Sequence, residues 1–245
     1  MTETFDDIRT AVQALCNRLP GDYWRRLDAE RAYPTDFVNL MTEAGYLAAL
    51  IPEEFGGSGL GLGAAAAILE EVHKSGGNGA ACHAQMYVMG TILRYGSAEQ
   101  KDRVLPAVAS GKKRLQAFAV TEPSSGTDTS RIRTMARREA DTYVIDGQKI
   151  WTSRAEHSDL MLLLARTAPR DEEGARHDGM SIFLVDIAAV RGQGLEIHPI
   201  ETMINHHTTE VFFDGLRVPA ANLIGSLVAG GRSLSPDPWR FRIRD

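Results

Sequence analysis

Cysteine is scarce. Cys16 and Cys82 are the only two in 245 residues, too far apart for a CxxC unit and too few for a disulfide framework. They read as two buried thiols of a protein in a reducing compartment. Positive charge is not in excess either. Lys and Arg number 27 against 32 Asp and Glu, a formal net charge of −5, which argues against a polyanion such as nucleic acid as partner. No apolar run is long enough to cross a bilayer. The opening MTETFDD is acidic and lacks the apolar stretch of a secretory signal. The default expectation is a cytoplasmic protein. Walker and GxSxG sequences are also missing. Apolar residues make up 43% of the chain and charged residues 24%, ordinary values for a globular protein with one or two cores.

The first half carries helical patterns. Phe5, Ile8, Val12, Leu15 and Leu19 recur at helical spacing before Pro20-Gly21. Phe37, Leu40, Met41 and Ala44 form one apolar face between Pro34 and Gly45, the expected start and stop signals. Residues 51–63 form a Pro/Gly-rich loop, followed by helices over about 62–74 and 80–94. Ser97 and Gln100 make a capping box for a further helix that Gly111 ends. From Leu115 the period changes. Strands are expected at 115–121, 160–165, 180–186, 195–200 and 208–213, and Asp146-Gly147 predicts a hairpin between 142–146 and 148–153. Residues 170–178 read as a charged hairpin loop. This is an α+β chain: an N-terminal all-helical domain over 1–113, then an antiparallel β-barrel or sandwich over 114–225. Residues 226–245 lose the pattern and are expected to pack poorly.

Several candidate sites carry little weight. Gly59-Leu60-Gly61-Leu62-Gly63-Ala64 fits a loose dinucleotide fingerprint, but no strand precedes it and Glu70 and Glu71 come too early for the ribose acid. His198, His206 and His207 match no zinc spacing, so no metal is expected. The pairs Glu53-Glu54 and Glu70-Glu71 read as solvated faces. The informative stretches are AFAVTEPSSGTD, residues 117–128, and GQKIWTS, residues 147–153. The first is a strand running into a turn rich in hydroxyls and backbone N–H groups. The second ends a strand on a Trp. Either alone could be structural; together they suit a planar aromatic ligand with polar edges.

These stretches resemble the acyl-CoA dehydrogenase family. AFAVTEPSSGTD is similar to its signature, GQKIWTS to its second flavin-contacting strand, IPEEFGGSGLGLG to a loop of its helical domain, and TTEVFFDGLRVPAANLIG to the segment closing its β-domain. The resemblance covers roughly residues 5–225 and implies FAD as cofactor. The backbone at Phe118 and Val120 would lie along the flavin. Thr121 would address its N1/O2 edge, Trp151 would pack on one face, and Thr152 with Ser153 would address N5 and O4. Thr127 would sit near the phosphates and the acyl-CoA entrance. It further implies removal of the α-proton of an acyl-CoA, transfer of the β-hydrogen to flavin, an electron-transfer flavoprotein as acceptor, and a homo-oligomer. The family's general base is a glutamate of a C-terminal helical domain. That pattern stops after Gly225, so the chain is expected to be a truncated form with no catalytic base of its own, and Glu122 is expected to be structural. A relative with monooxygenase or nitroalkane-oxidase chemistry, and a non-catalytic partner subunit, stay open as alternatives.

Overall fold

A computed structural model describes residues 5–170 and 177–225, together with a short strand pair at 227–228 and 232–233. The expected loop at 170–178 and the expected tail at 226–245 therefore lie mostly outside the described residues. Six helices come first: α1 (Asp6–Cys16), α2 (Tyr23–Glu30), α3 (Thr35–Glu43), α4 (Leu62–Lys74), α5 (Ala80–Tyr95) and α6 (Ala98–Ala109). The capping box is present, with Gln100 N donating to Ser97 Oγ at 3.2 Å and Ser97 N to Gln100 Oε1 at 3.0 Å. Helix α2 is absent from the sequence reading, because YWRRLDAE is short and mostly polar. The loop before α4 has no strand, so the glycine run there is no dinucleotide fingerprint.

Eight strands follow: β1 (Leu115–Ala119), β2 (Met135–Glu139), β3 (Thr142–Ser153), β4 (Leu160–Arg166), β5 (Met180–Asp186), β6 (Leu195–Pro199), β7 (Thr208–Pro219) and β8 (Leu223–Ile224). They form one sheet in the order β6-β7-β3-β2-β4-β5-β8, with β1 also on β4. The helical part followed by a sheet matches the expected class, but the sheet is mixed rather than purely antiparallel. β1 and β2 both run parallel to β4. The chain between β1 and β4 makes a long excursion through the β2–β3 hairpin, and such a crossover is what a parallel pair requires.

The expected hairpin at Asp146-Gly147 does not exist. β3 runs straight through it, and the turn lies at Ala140-Asp141, between Glu139 and its partner Thr142. Gly147 serves a bulge instead. The register with β7 shifts between Ile145 and Gly147, and Gly147 has φ 149°. A Cβ there would lie 2.5 Å from Thr134 Oγ1 and 2.7 Å from Thr134 Cα. The glycine is needed for a close approach of backbones rather than for a turn.

β4 shows how the layers share a core. All seven of its residues are buried, and strand alternation sends them to opposite faces. Leu160, Leu162 and Leu164 join Val88, Ile92, Leu105 and Val108 from α5 and α6. Met161, Leu163 and Ala165 join Tyr143, Ile145, Phe183 and Phe213 on the other face. A third cluster lies within α1–α5 around Phe37, Met41 and Ile68. Two polar latches tie helices to strands. Gln100 Nε2 donates to the carbonyls of Ala221 and Leu223, both at 2.8 Å. Asn205 Nδ2 donates to the carbonyls of Leu27 and Ala32, both at 3.0 Å.

Candidate functional site

The two informative stretches meet in space. The Ile150 N–H donates to the Thr121 carbonyl at 2.9 Å, so the end of β1 lies against the middle of β3. Beneath that contact is a buried ion pair. Lys149, fully buried, donates from Nζ to Glu122 Oε1 at 2.9 Å and to the Val120 carbonyl at 2.8 Å. Glu122 also accepts from Arg133 N at 2.6 Å, Thr134 N at 2.9 Å and Thr134 Oγ1 at 2.7 Å. Burial alone would push the Glu122 carboxyl up. The Lys149 charge and the Thr134 and Arg133 hydrogen bonds outweigh it and hold the carboxyl below its ordinary range. Burial pulls the Lys149 ammonium down to about 8, against the attraction of Glu122. Glu122 is thus enclosed and fully engaged. It organises the turn that its backbone opens with reciprocal 3.0 Å hydrogen bonds to Ser125, and it is not presented to a ligand.

Above the pair lies an open cleft of about 670 Å³, lined among others by Tyr87, Phe118, Val120, Thr121, Gly126 and Thr127. Phe118 and Val120 are half-buried, with their inner parts on the shared core. Thr127 is exposed at the rim. Among the described residues, no carboxylate lines the cleft.

Trp151 does not line the cleft; it stands beside it on β3. It is 55% exposed, which rules out a core aromatic. Its backbone is left-handed, φ 61°, a conformation rare for a bulky side chain. The cause is a second bulge: from Lys149 to Thr152 β3 advances three residues while β7 advances two, from Val211 to Thr209. Lys149 and Thr152 stay inside, and the extra residue turns the indole outward. Thr152 is buried, with its carbonyl accepting from Thr209 Oγ1 at 2.8 Å, while its own Oγ1 has no partner among the described residues. Ser153 Oγ lies 3.1 Å from His206 Nε2. Phe118, Val120, Thr121 and Thr127 therefore share one cleft, and Trp151, Thr152 and Ser153 continue from it along β3.

The histidines separate. His198 pairs with Glu196 at 3.2 Å, away from the others. His206 and His207 join His157, which the sequence reading missed; His157 Nε2 is 3.3 Å from His207 Nδ1, and its ring stacks on Tyr33 at 4.3 Å. No group of three candidate metal ligands occurs among the described residues. Burial, with the neighbouring His207 and Arg154, pushes His157 down to about 4. No helix among the described residues is long and apolar enough to cross a membrane.

This arrangement has known counterparts. The family model for the acyl-CoA dehydrogenase N-terminal domain matches residues 2–112, and that for the middle domain matches residues 117–216. The chain belongs to the acyl-CoA dehydrogenase family. It is 37% identical to acyl-CoA dehydrogenase FadE26 of Mycobacterium tuberculosis over 143 residues, 58% of this chain and 35% of that one. It is 30% identical to the probable acyl-CoA dehydrogenase fadE25 of Mycobacterium bovis over 230 residues, 92% of this chain and 57% of that one. Among solved structures it resembles an acyl-CoA dehydrogenase from Geobacillus kaustophilus, with a TM-score of 0.82 and 27% identity over 92% of this chain and 59% of that one. It likewise resembles the glutaryl-coenzyme A dehydrogenase glutaryl-CoA complex, with a TM-score of 0.80 and 28% identity over 92% and 57%. The matches thus span from about a third to about three-fifths of the length of these acyl-CoA dehydrogenases.

Proposed function

We propose that this chain binds FAD and forms the flavin-side wall of an acyl-CoA dehydrogenase, which converts an acyl-CoA thioester to a 2-enoyl-CoA. The observation that carries the reading is the Ile150–Thr121 hydrogen bond, which sets the hydroxyl-rich turn beside the strand bearing the exposed Trp151. The residues present fit the group. Phe118 and Val120 give an apolar floor, Thr121 and Ser153 offer hydroxyls to its polar edges, and Trp151 holds an outward, left-handed pose in which its ring can stack on the flavin. Bound FAD supplies the acceptor for the β-hydrogen. Thr121 and Ser153 then orient the ring and hold hydrogen-bond donors where charge builds up on reduction. Thr127, at the rim, meets the phosphate end of cofactor or substrate.

Among the described residues no carboxylate lines the cleft, and Glu122 is sealed beneath it, so none of the described residues on this wall is placed as a general base. That function falls to a group outside this described lining; an electron-transfer flavoprotein fits the chemistry of the electron acceptor, and assembly into homo-oligomers fits the family. The free thiols suit a cytoplasmic setting. The test is titration of the purified chain with FAD, followed by flavin absorbance and quenching of tryptophan fluorescence. Saturable binding that weakens in Thr121→Val and Ser153→Ala is expected. Binding unchanged in both variants would refute the assignment. A dye-linked assay across short, medium and long acyl-CoAs tests the base: rapid turnover by this chain alone would place one within it, with Glu122 and Glu201 the first to mutate.

A further inference from the structure

A second cavity, sharing no lining residue with the flavin-side cleft, lies between α2, the turn joining α4 to α5, and the end of β3. Its volume is about 190 Å³, and Leu27, Asn78, Ala81, Arg154 and His207 are among its walls. That is room for about six waters or one small organic acid. Arg154 is only 5% exposed, and no carboxylate lies within ion-pair distance of it among the described residues. A guanidinium taken out of water without a counter-charge is costly, and burial indeed pulls the Arg154 pKa down. His207 also borders the space: its Nε2 is buried with no close hydrogen-bond partner among the described residues beyond a looser contact to the Ala32 backbone. Ala81 in the first turn of the 16-residue helix α5 (Ala80–Tyr95) lines the cavity, as does Asn78 before it, whose Oδ1 accepts from Ala80 N at 3.0 Å, and helix N-termini favour negative charge. Asp28 also borders the space, but it is exposed at the mouth and its Oδ1 accepts from Asn205 N at 3.0 Å. The charge in the interior is positive.

We propose that this cavity binds a small oxyanion, a carboxylate or a phosphate, with Arg154 as its counter-ion and His207 as a second donor. The site does not depend on the flavin reading. Arg154 follows Ser153 directly, so an occupant would pin the end of the strand that carries Trp151. The Arg154 backbone is already tied there, its N–H donating to the His207 carbonyl at 2.7 Å.

The experiment uses the full chain without FAD. Thermal unfolding is followed while sodium phosphate or sodium propionate replaces sodium chloride at constant ionic strength. Wild type should show a rise that grows with the logarithm of anion concentration above the dissociation constant, roughly 3–6 °C at ten times that constant. The anion whose rise sets in at the lower concentration identifies the source as phosphate or carboxylate. Arg154→Gln should fold, should melt in chloride at or above the wild-type temperature because a buried charge is gone, and should bind at least about tenfold more weakly. The absence of a rise over chloride with either anion, or an equal rise in Arg154→Gln, overturns the proposal. Independently of any variant, carboxyl-labelled propionate should show saturable line broadening in NMR with wild type, and unbroadened lines together with unbroadened phosphate would overturn it equally.

Discussion

Removing one member of the Glu122–Lys149 pair should be among the most damaging single changes in the chain. The carboxylate accepts four hydrogen bonds, from Lys149, Arg133 N, Thr134 N and Thr134 Oγ1. Glu122→Gln keeps the shape but brings an NH₂ group against donors and leaves Lys149 with the Val120 carbonyl as its remaining partner. Breaking such a pair costs about 3–5 kcal/mol. Lys149→Met leaves the carboxylate with three donors and should cost less, about 2–4 kcal/mol. The double variant should lose at least about 2 kcal/mol less than the sum of the singles, because no charge is then left unpaired. Urea unfolding at pH 7 gives all three values from shifts in midpoint at constant slope. Additive losses, or a Glu122→Gln loss below about 1 kcal/mol, would refute the claim that the pair is sealed and mutually compensating.

Trp151→Gly should leave stability within about 1 kcal/mol, since relief of the left-handed backbone offsets glycine's entropy, while flavin affinity falls about tenfold; fluorescence titration and thermal melts check both. Gly147→Ala, whose methyl would strike the Thr134 backbone, should cost about 2–4 kcal/mol by urea unfolding, and a neutral result would contradict the bulge geometry. Stability should fall as pH drops from about 6.5 towards 4. His157 is held near 4 in the folded chain and at about 6.5 when unfolded, so the unfolded state binds the extra proton in that window. His206 and His207 are shifted the same way, and His157→Gln should flatten the slope in urea titrations repeated from pH 7 to 4.5.

The order of helices then strands was legible because each period is written locally. The capping box at Ser97 and the apolar run at 160–165 need only neighbours to be read. The failures share a cause. Asp146-Gly147 is a turn signal in isolation, but its glycine answers to Thr134, thirteen residues away in sequence and in contact only after folding. The parallel pairing of β1 with β4 depends on a crossover that no window of sequence contains. Of the candidate site, the residues of the two flavin-like stretches were read from the family resemblance and are indeed adjacent. The buried lysine beneath them, His157 and the buried Arg154 were not singled out. Lys149, His157 and Arg154 look like surface residues in a list of letters, and only burial reveals the chemistry each must satisfy.

β4 has a consequence for how the molecule comes apart. Because its alternate side chains are claimed by the helices on one face and by the strands on the other, the helical layer is no detachable module. Peeling it away would bare a continuous aliphatic stripe of Leu160, Leu162 and Leu164, the kind of surface that drives self-association. The amide protons of β4 should therefore be the last to exchange with deuterium, and they should do so only when both layers open at once.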